Sequence, residues 1–298
     1  MLKYLNDNTW GYVQNDDIIV QAKYWFYPEL PTGHSLYKVG LIGDFQCSEE
    51  ATLEQSFLVF NQLETELKKL GVIKIIGPIN GSTWQNYRLT TYYGNEKPFL
   101  LEPYTPQYFI KHWNHFGFKP EHNYSSYKMD ITQWSDERIN KLHSKFSELT
   151  FKRLSEKDLN AIFDLSIKSF VKNPYYIDID KEAYLNKYGK MMALLQPNIS
   201  LVIYDKNELV GYLFAILNPS SNPQERPDSV ILKTIAISDN RKYAGLGTYL
   251  LSKLVEEITK INVKYIIHAL MYDNNPVQNI IKDCSVKMRG YTLFQKEI

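Results

Sequence analysis

Apolar positions along the chain follow two rhythms. Residues 17–27 and 36–47 mix aromatic and β-branched side chains in short runs, which predicts strands. Leu53, Phe57, Phe60, Leu63, Leu67 and Leu70 then recur at steps of three and four, a helical stripe that Gly71 stops. Residues 72–76 predict a short buried strand ahead of Gly77-Pro78. Residues 79–106 show no period and are rich in Gly, Asn, Pro and aromatics; a stretch of that length inside a compact unit is functional or interfacial as a rule. A helix is expected over 107–114 and two closing strands over 117–119 and 126–131.

Residues 132–149 carry charge and a narrow apolar stripe (Ile139, Leu142, Phe146, Leu149), which predicts a helical linker packed on one of its neighbours. The pattern restarts at Thr150. Helices are expected over 156–171 and 181–195, then strands over 199–204 and 209–217 about the turn Asp205-Lys206-Asn207-Glu208. A polar loop over 219–227 leads to a strand over 230–237, a helix over 246–258, a strand over 263–271, a short helix over 276–283 and a last strand over 291–296. In both halves a strand pair leads to a long amphipathic helix, a buried strand, a short helix and terminal strands. That shared order predicts a tandem repeat of one α+β unit.

Composition narrows the picture in three ways. The 298 residues, 44% of them hydrophobic, suit two globular units of about 150 residues each. With 34 basic against 33 acidic residues the formal net charge is +1, so no long-range field gathers nucleic acid or an anionic membrane. No apolar run is long enough to span a bilayer, and two distant cysteines, Cys47 and Cys284, have no metal-type spacing. A reduced, cytoplasmic protein is expected, monomer or homodimer, with no metal. His112 and His115 stand at i and i+3, but with no third ligand the pair reads as a solvated helix face.

The most specific chemistry lies between the strand over 230–237 and the helix that follows. Ile237-Ser238-Asp239-Asn240-Arg241-Lys242-Tyr243-Ala244-Gly245-Leu246-Gly247-Thr248 takes a strand through a basic, glycine-containing turn into a helix. Glycines let backbone N–H groups approach an anion, and a helix start adds unpaired donors and partial positive charge. First turns of helices favour Asp or Glu; here Leu246, Gly247, Thr248 and Tyr249 supply neither, while Arg241 and Lys242 sit just upstream. The turn reads as a cradle for an external phosphate or diphosphate, or else as a tight turn that happens to use two glycines. Neither a G-x-x-x-x-G-K-S/T loop nor a dinucleotide fingerprint is present.

This turn resembles the signature of the GNAT superfamily of N-acetyltransferases, Gln/Arg-x-x-Gly-x-Gly/Ala. Lys242-Tyr243-Ala244-Gly245-Leu246-Gly247 matches at both glycines, with Lys242 where Gln or Arg is usual. The resemblance covers most of residues 150–298 and implies an acetyl-CoA-binding domain there, a linker over 134–149, and a degenerate copy of the same fold over 1–133. Each copy is expected as a mixed, mainly antiparallel sheet flanked by helices. It further implies that acetyl-CoA is the co-substrate and a small-molecule amine the acceptor. The amides of Lys242 to Gly247 hold the pyrophosphate, with Arg241 and Thr248 beside them. Ile235 and Ile237 border the pantetheine arm by backbone pairing, the Ile237 N–H faces the thioester carbonyl, and Asn275 contacts the coenzyme arm.

The family's strand-borne glutamate base is missing, since Lys233 and Thr234 occupy that place. Asp239 and His268 are the candidate bases, His268 being otherwise a satisfied core or surface histidine. The family's tyrosine acid is missing too: Ile280, Ile281 and Lys282 stand there, and Tyr272 and Tyr291 are the available substitutes. For the acceptor, Asp178, Asp180 and Glu182 beside Tyr175 and Tyr176 offer a cation-receiving patch, or else solvated charges ahead of a helix. The first half has two carboxylates, Glu49 and Glu50, at its own cradle position, which disfavours a pyrophosphate there. Its segment from Gly77 to Arg88 resembles the loop that precedes an inserted segment in the first domain of tandem acetyltransferase-like bacterial proteins, and is expected either to line a pocket facing the second domain or to be a structural insertion. Two other readings stay open: a tandem aminoacyltransferase using aminoacyl-tRNA, and a non-catalytic acyl-CoA-binding module.

Overall fold

Asp7-Asn8 and Asn15-Asp16, all at positive φ, turn the chain through two tight hairpins that join β1 (Leu2–Asn6), β2 (Thr9–Gln14) and β3 (Asp17–Phe26). The computed structural model describes residues 1–28, 38–135, 139–195, 199–220 and 224–298. The start of the strand expected over 36–47, residues 136–138 of the linker and residues 221–223 of the loop over 219–227 lie outside them.

β4 (Val39–Cys47) pairs antiparallel with β3, and α1 (Leu53–Lys69) carries the chain to β5 (Lys74–Gly77), parallel to β4. The Thr52 hydroxyl accepts from the Gln55 N–H while the Gln55 side chain accepts from the Thr52 N–H, so α1 opens with a reciprocal cap. β6 (Leu89–Tyr92), α2 (Phe109–His115) and β7 (Lys119–Asp130) complete the first half. The two closing strands expected over 117–119 and 126–131 are one continuous strand, β7, because it is paired along both edges.

α3 (Ile139–Lys145) lies in the linker. The second half runs β8 (Thr150–Arg153), α4 (Leu159–Phe170), α5 (Lys181–Met191), β9 (Leu201–Asp205), β10 (Glu208–Asn218), β11 (Ser229–Ile237), α6 (Leu246–Lys260), β12 (Tyr265–Tyr272), α7 (Val277–Ile281) and β13 (Ser285–Glu297). Here α6 repeats the crossover of α1, since β11 and β12 are parallel. The tandem α+β repeat is therefore present, with one difference: among the described residues α4 and α5 have no counterpart in the first half.

The repeats do not keep separate sheets. The strands form one sheet in the order β1-β2-β3-β4-β5-β13-β7-β12-β11-β10-β9-β8, with β6 attached to β13. The last strand of each half has crossed over: β13 fills the gap between β5 and β7, and β7 pairs with β12. A buried ion pair pins the exchange. Arg289 Nε on β13 donates to Glu102 Oε1 at 2.9 Å with both side chains almost wholly buried, and Arg289 Nη2 donates to Glu96 O at 2.8 Å.

Helices cover both faces of the second half. Leu246, Leu250, Leu254 and Ile258 of α6 bury against Val230, Leu232 and Ile266 on one face; Ile162, Leu165 and Tyr184 of α4 and α5 bury against Val202, Tyr212 and Ile231 on the other. In the first half α1 and α2 cover one face through Phe60, Leu63, Leu67 and Trp113. Its other face is closed by the second half, where Tyr175 and Ile177 pack on Leu41, Ile76 and Leu293.

Candidate functional site

The turn after β11 uses up its own first amides. Asn240 Oδ1 accepts from the Lys242 N–H at 3.1 Å, and Tyr243 N–H and Ala244 N–H donate to Asn240 O and Arg241 O. Gly245 follows at φ +94°, in the left-handed region that favours glycine. α6 then begins with no side-chain cap and no acidic residue in its first turn. The N–H groups of Gly245, Leu246, Gly247 and Thr248 precede any intrahelical acceptor and stand at the positive end of the helix dipole. A Cβ built on Gly247 meets nothing within 4 Å, so the space beside that residue is open. Of the expected donors, Lys242 to Gly247, the amides of Lys242, Tyr243 and Ala244 are thus engaged within the turn, and those of Gly245 to Thr248 are not.

Side chains around the turn hold it in place. Lys242 Nζ pairs with Asp205 Oδ2 at 2.9 Å, and the same oxygen accepts from the Tyr243 hydroxyl at 2.8 Å. From the linker, Lys145 Nζ donates to Ala244 O at 2.7 Å, and Leu142 comes so close that a Cβ on Gly245 would lie 2.7 Å from its Cδ2. Arg241 is exposed.

β11 leads into this turn with one open edge. Ser238 N–H donates to Val210 O, so by the alternation of an antiparallel ladder the amides of Ile235 and Ile237 face away from β10. On that side β12 pairs with β11 only from Ser229–Tyr265 to Leu232–His268. Beyond this point β12 bulges at Leu270 (φ +58°), whose N–H donates to Ser126 Oγ at 2.9 Å. The two strands part, and the backbone of Ile235 and Ile237 borders the gap.

The matching place in the first half is filled. The amides at the start of α1 meet the Thr52 cap, Glu54 stands in its first turn, and Asn80 Oδ1 accepts from the Asp44 N–H at 2.9 Å. Phe45 packs on Phe60, Phe109 and Trp113 where β4 leaves β5. Glu49 and Glu50 are exposed.

Several expected site residues land elsewhere. His268 is corrected: only 2% exposed, it turns its Nε2 to Met129 Sδ at 3.3 Å, and burial pushes its pKa down to about 4. A histidine so enclosed does not reach an acceptor amine. Tyr291 is equally enclosed, donating to Glu102 Oε1 at 2.5 Å. Asn275 Oδ1 accepts from the Val277 N–H at 3.0 Å, just ahead of α7. Asp239 is exposed where β11 leaves the sheet, and Tyr272 lies at the junction of the halves, 3.4 Å from His122 Nδ1. Asp180 caps α5 through the Ala183 N–H, and Asp178 and Glu182 are exposed, so the cation-receiving patch is a helix start in solvent. His112 is corrected from a solvated face to a buried one: 1% exposed, it bonds Ser56 Oγ at 2.7 Å, and burial, aided by the charges of Lys111 and His115, pushes its pKa down to about 4.

The two buried histidines carry an acid-stability expectation. Their folded pKa values of about 4 lie below the unfolded value of about 6.5, so both states are neutral above that value and stability is complete there. As pH falls from about 6.5 towards 4, only the unfolded chain takes up these protons, and stability drops by up to about 1.4 kcal/mol per pH unit for each histidine. Urea midpoints measured from about pH 7 to about pH 4.5 should therefore fall less steeply in His268→Gln than in the wild type. Equal slopes would mean that His268 is accessible in the native state.

On the α4–α5 side the gap between β11 and β12 faces the loop after β5. Trp84 Nε1 donates to Ile177 O at 2.9 Å, its ring packs on Phe170, Tyr176 and Tyr184, and Lys187 Nζ of α5 donates to Trp84 O. Arg88 Nη1 donates to Leu270 O at 3.2 Å, at the bulge where β12 departs. Lys233 occupies the β11 bulge between Leu232 and Thr234. Beneath Thr234 an apolar pocket is lined by Leu154, Ile162, Tyr184, Tyr188, Tyr212 and Phe214. The sequence reading named the loop and Lys233 but missed Lys187. Its signal is position: it lies three residues from Tyr184 on α5, toward the packed side of that helix.

No protein-family model matches the sequence, and no curated protein matches it. Solved structures do. The chain is similar over 97% of its length to a structure of the GCN5-related glucosamine N-acetyltransferase region of a fungal multi-domain GH3 β-N-acetylglucosaminidase, with a TM-score of 0.57 at 10% identity; it spans 33% of that chain. It is similar over 99% of its length to a GCN5-related N-acetyltransferase from Sphaerobacter thermophilus (TM-score 0.52, 10% identity, 82% of that chain). A tandem GNAT protein from the clavulanic acid biosynthesis pathway is matched over 97% of this chain and 82% of its own, with a TM-score of 0.52 at 8% identity. These likenesses establish a tandem GNAT-like fold over nearly the whole chain.

Proposed function

We propose that this chain is an acyltransferase that moves the acetyl group of acetyl-CoA to the amine of a small molecule. The observation that carries the reading is the continuity of two unsatisfied backbone surfaces: the open edge at Ile235 and Ile237, and the uncapped amides of Gly245 to Thr248. The first suits an amide-bearing arm that pairs as an added strand; the second suits a diphosphate. The repeat over 150–298 binds the coenzyme, and the repeat over 1–133, joined to it through 134–149, closes the acceptor side with its Trp84 loop. Asn275 and Arg241 flank the coenzyme, and Lys242 orders the turn through Asp205.

The Ile237 N–H is aimed at the oxygen of a thioester carbonyl in the gap, where negative charge grows during attack. The acceptor nitrogen forms its bond to that carbon, the C–S bond breaks, and the nitrogen's proton goes to the departing sulfur. Attack needs a neutral amine, and Asp239 is the remaining candidate base of the original pair. Holding both reactants in the gap supplies much of the rate.

Acetyl-CoA titrated into the protein should bind at one site and raise its thermal midpoint. A hundredfold excess over the dissociation constant corresponds to about 2.7 kcal/mol of added stability. Thiol release in the presence of an amine then separates transfer from mere binding. Absence of a shift at millimolar acetyl-CoA would refute the reading.

A further inference from the structure

The acceptor side of the gap collects positive charge that no carboxylate pairs among the described residues. Arg88 is 6% exposed, held at φ +72°, with its guanidinium carbon 3.8 Å from the Tyr87 ring centre and 4.0 Å from that of Tyr124. One nitrogen reaches Leu270 O, while its buried Nε has no hydrogen-bond partner. Lys187 Nζ reaches Trp84 O and, at 3.3 Å, Gln85 Oε1. Lys233 projects from the β11 bulge into the same region, where burial above all, and then the charges of Lys187 and Arg88, push its pKa down to about 8. Among the described residues the ion pairs engage other cations, and none of these three meets a carboxylate.

Three sheltered cations from three distant segments are costly to hold together without a counter-ion. We infer that Arg88, Lys187 and Lys233 form a receptor for a compact anionic group, a carboxylate or a phosphate, borne by the acyl acceptor. The inference rests on the acyltransferase reading for the word acceptor, but not for the anion site itself. The same charges repel an ammonium group, so they favour the neutral form of an amine brought into the gap. That gives the lysine at the β11 bulge a purpose in a chain that lacks a glutamate there: the anionic end of the acceptor is gripped while its amine is kept unprotonated. An acceptor that is only cationic is excluded.

The test uses the full chain and O-phosphoethanolamine, β-alanine and ethanolamine as probes, titrated calorimetrically without coenzyme. O-phosphoethanolamine or β-alanine should bind, and whichever is tighter assigns the phosphate or the carboxylate; ethanolamine, the uncharged-tail control, should bind at least tenfold more weakly. Lys233→Gln should weaken the anionic probe about thirtyfold or more. The same variant removes an uncompensated charge, so its thermal midpoint should hold or rise, which separates lost binding from lost folding. Its affinity for acetyl-CoA should be unchanged. Equal binding of ethanolamine, an unaltered Lys233→Gln, or competition between the anionic probe and acetyl-CoA would each overturn the site. Failure of acetyl-CoA to bind the wild type would overturn only the transferase reading, since the probe titrations need no coenzyme.

Discussion

Gly247→Glu should lose acetyl-CoA while becoming more stable. The position lies in the first turn of α6, and a side chain there enters open space, so folding meets no obstacle. Replacing a helical glycine gains about 0.5–1 kcal/mol, and a carboxylate at a helix start adds about 0.3–1 kcal/mol. The midpoint should rise by about 2 °C or more. The same carboxylate faces the diphosphate that we place on Gly245 to Thr248. At a separation of about 5 Å and an effective dielectric constant of about 20, each pair of like charges costs about 3 kcal/mol. Affinity should fall a hundredfold or more. Calorimetry and a thermal melt on one preparation give both numbers, and an unchanged dissociation constant would remove the cradle.

The second large effect concerns the crossover of strands. Glu102→Ala strips Arg289 of its carboxylate in a place with almost no solvent, and it also removes one of the two hydrogen-bond partners of the Tyr291 hydroxyl, the other being Ser126 Oγ. Loss of one member of such a pair costs about 3–5 kcal/mol. Because Glu102 belongs to the first half and Arg289 to β13, the loss should appear as one cooperative transition of the whole chain at lower urea. Replacing both residues by apolar side chains of similar size should recover most of it. A cost below about 1 kcal/mol, or a transition confined to one half, would contradict the role given to this pair.

Much of the fold was legible where local chemistry decides it. The stripe of α1, the hairpin between β9 and β10, and the turn from β11 to α6 all carry their cause within a few residues. β1 and β2 were missed although Asp7-Asn8 and Asn15-Asp16 are two-residue turns of a type that marks hairpins; the signal was present and unread. β6 and β8 have four residues each and exist because a neighbouring strand offers them an edge. The exchange of β7 and β13 is a matter of distant pairing, which no periodicity records.

The candidate site divides the same way. The turn from β11 to α6 was legible because glycines, basic residues and an absent acidic first turn lie together, although the turn's own hydrogen bonds leave free the amides of Gly245–Thr248 and not those of Lys242–Ala244. His268 misled because a strand position says nothing of which layer its ring enters. The cationic receptor was invisible as a cluster: Arg88, Lys187 and Lys233 come together only after the Trp84 loop docks on α4 and α5.

The placement of β13 also bears on how the molecule is made. A ribosome delivers β5 and β7 long before residues 285–297 emerge, so the nascent first repeat waits with a strand-wide slot in its middle. Exposed sheet edges invite pairing with other chains. Synthesis of this protein should thus leave a long interval with that slot unfilled, and a polypeptide truncated before Ser285 should fail in both repeats at once.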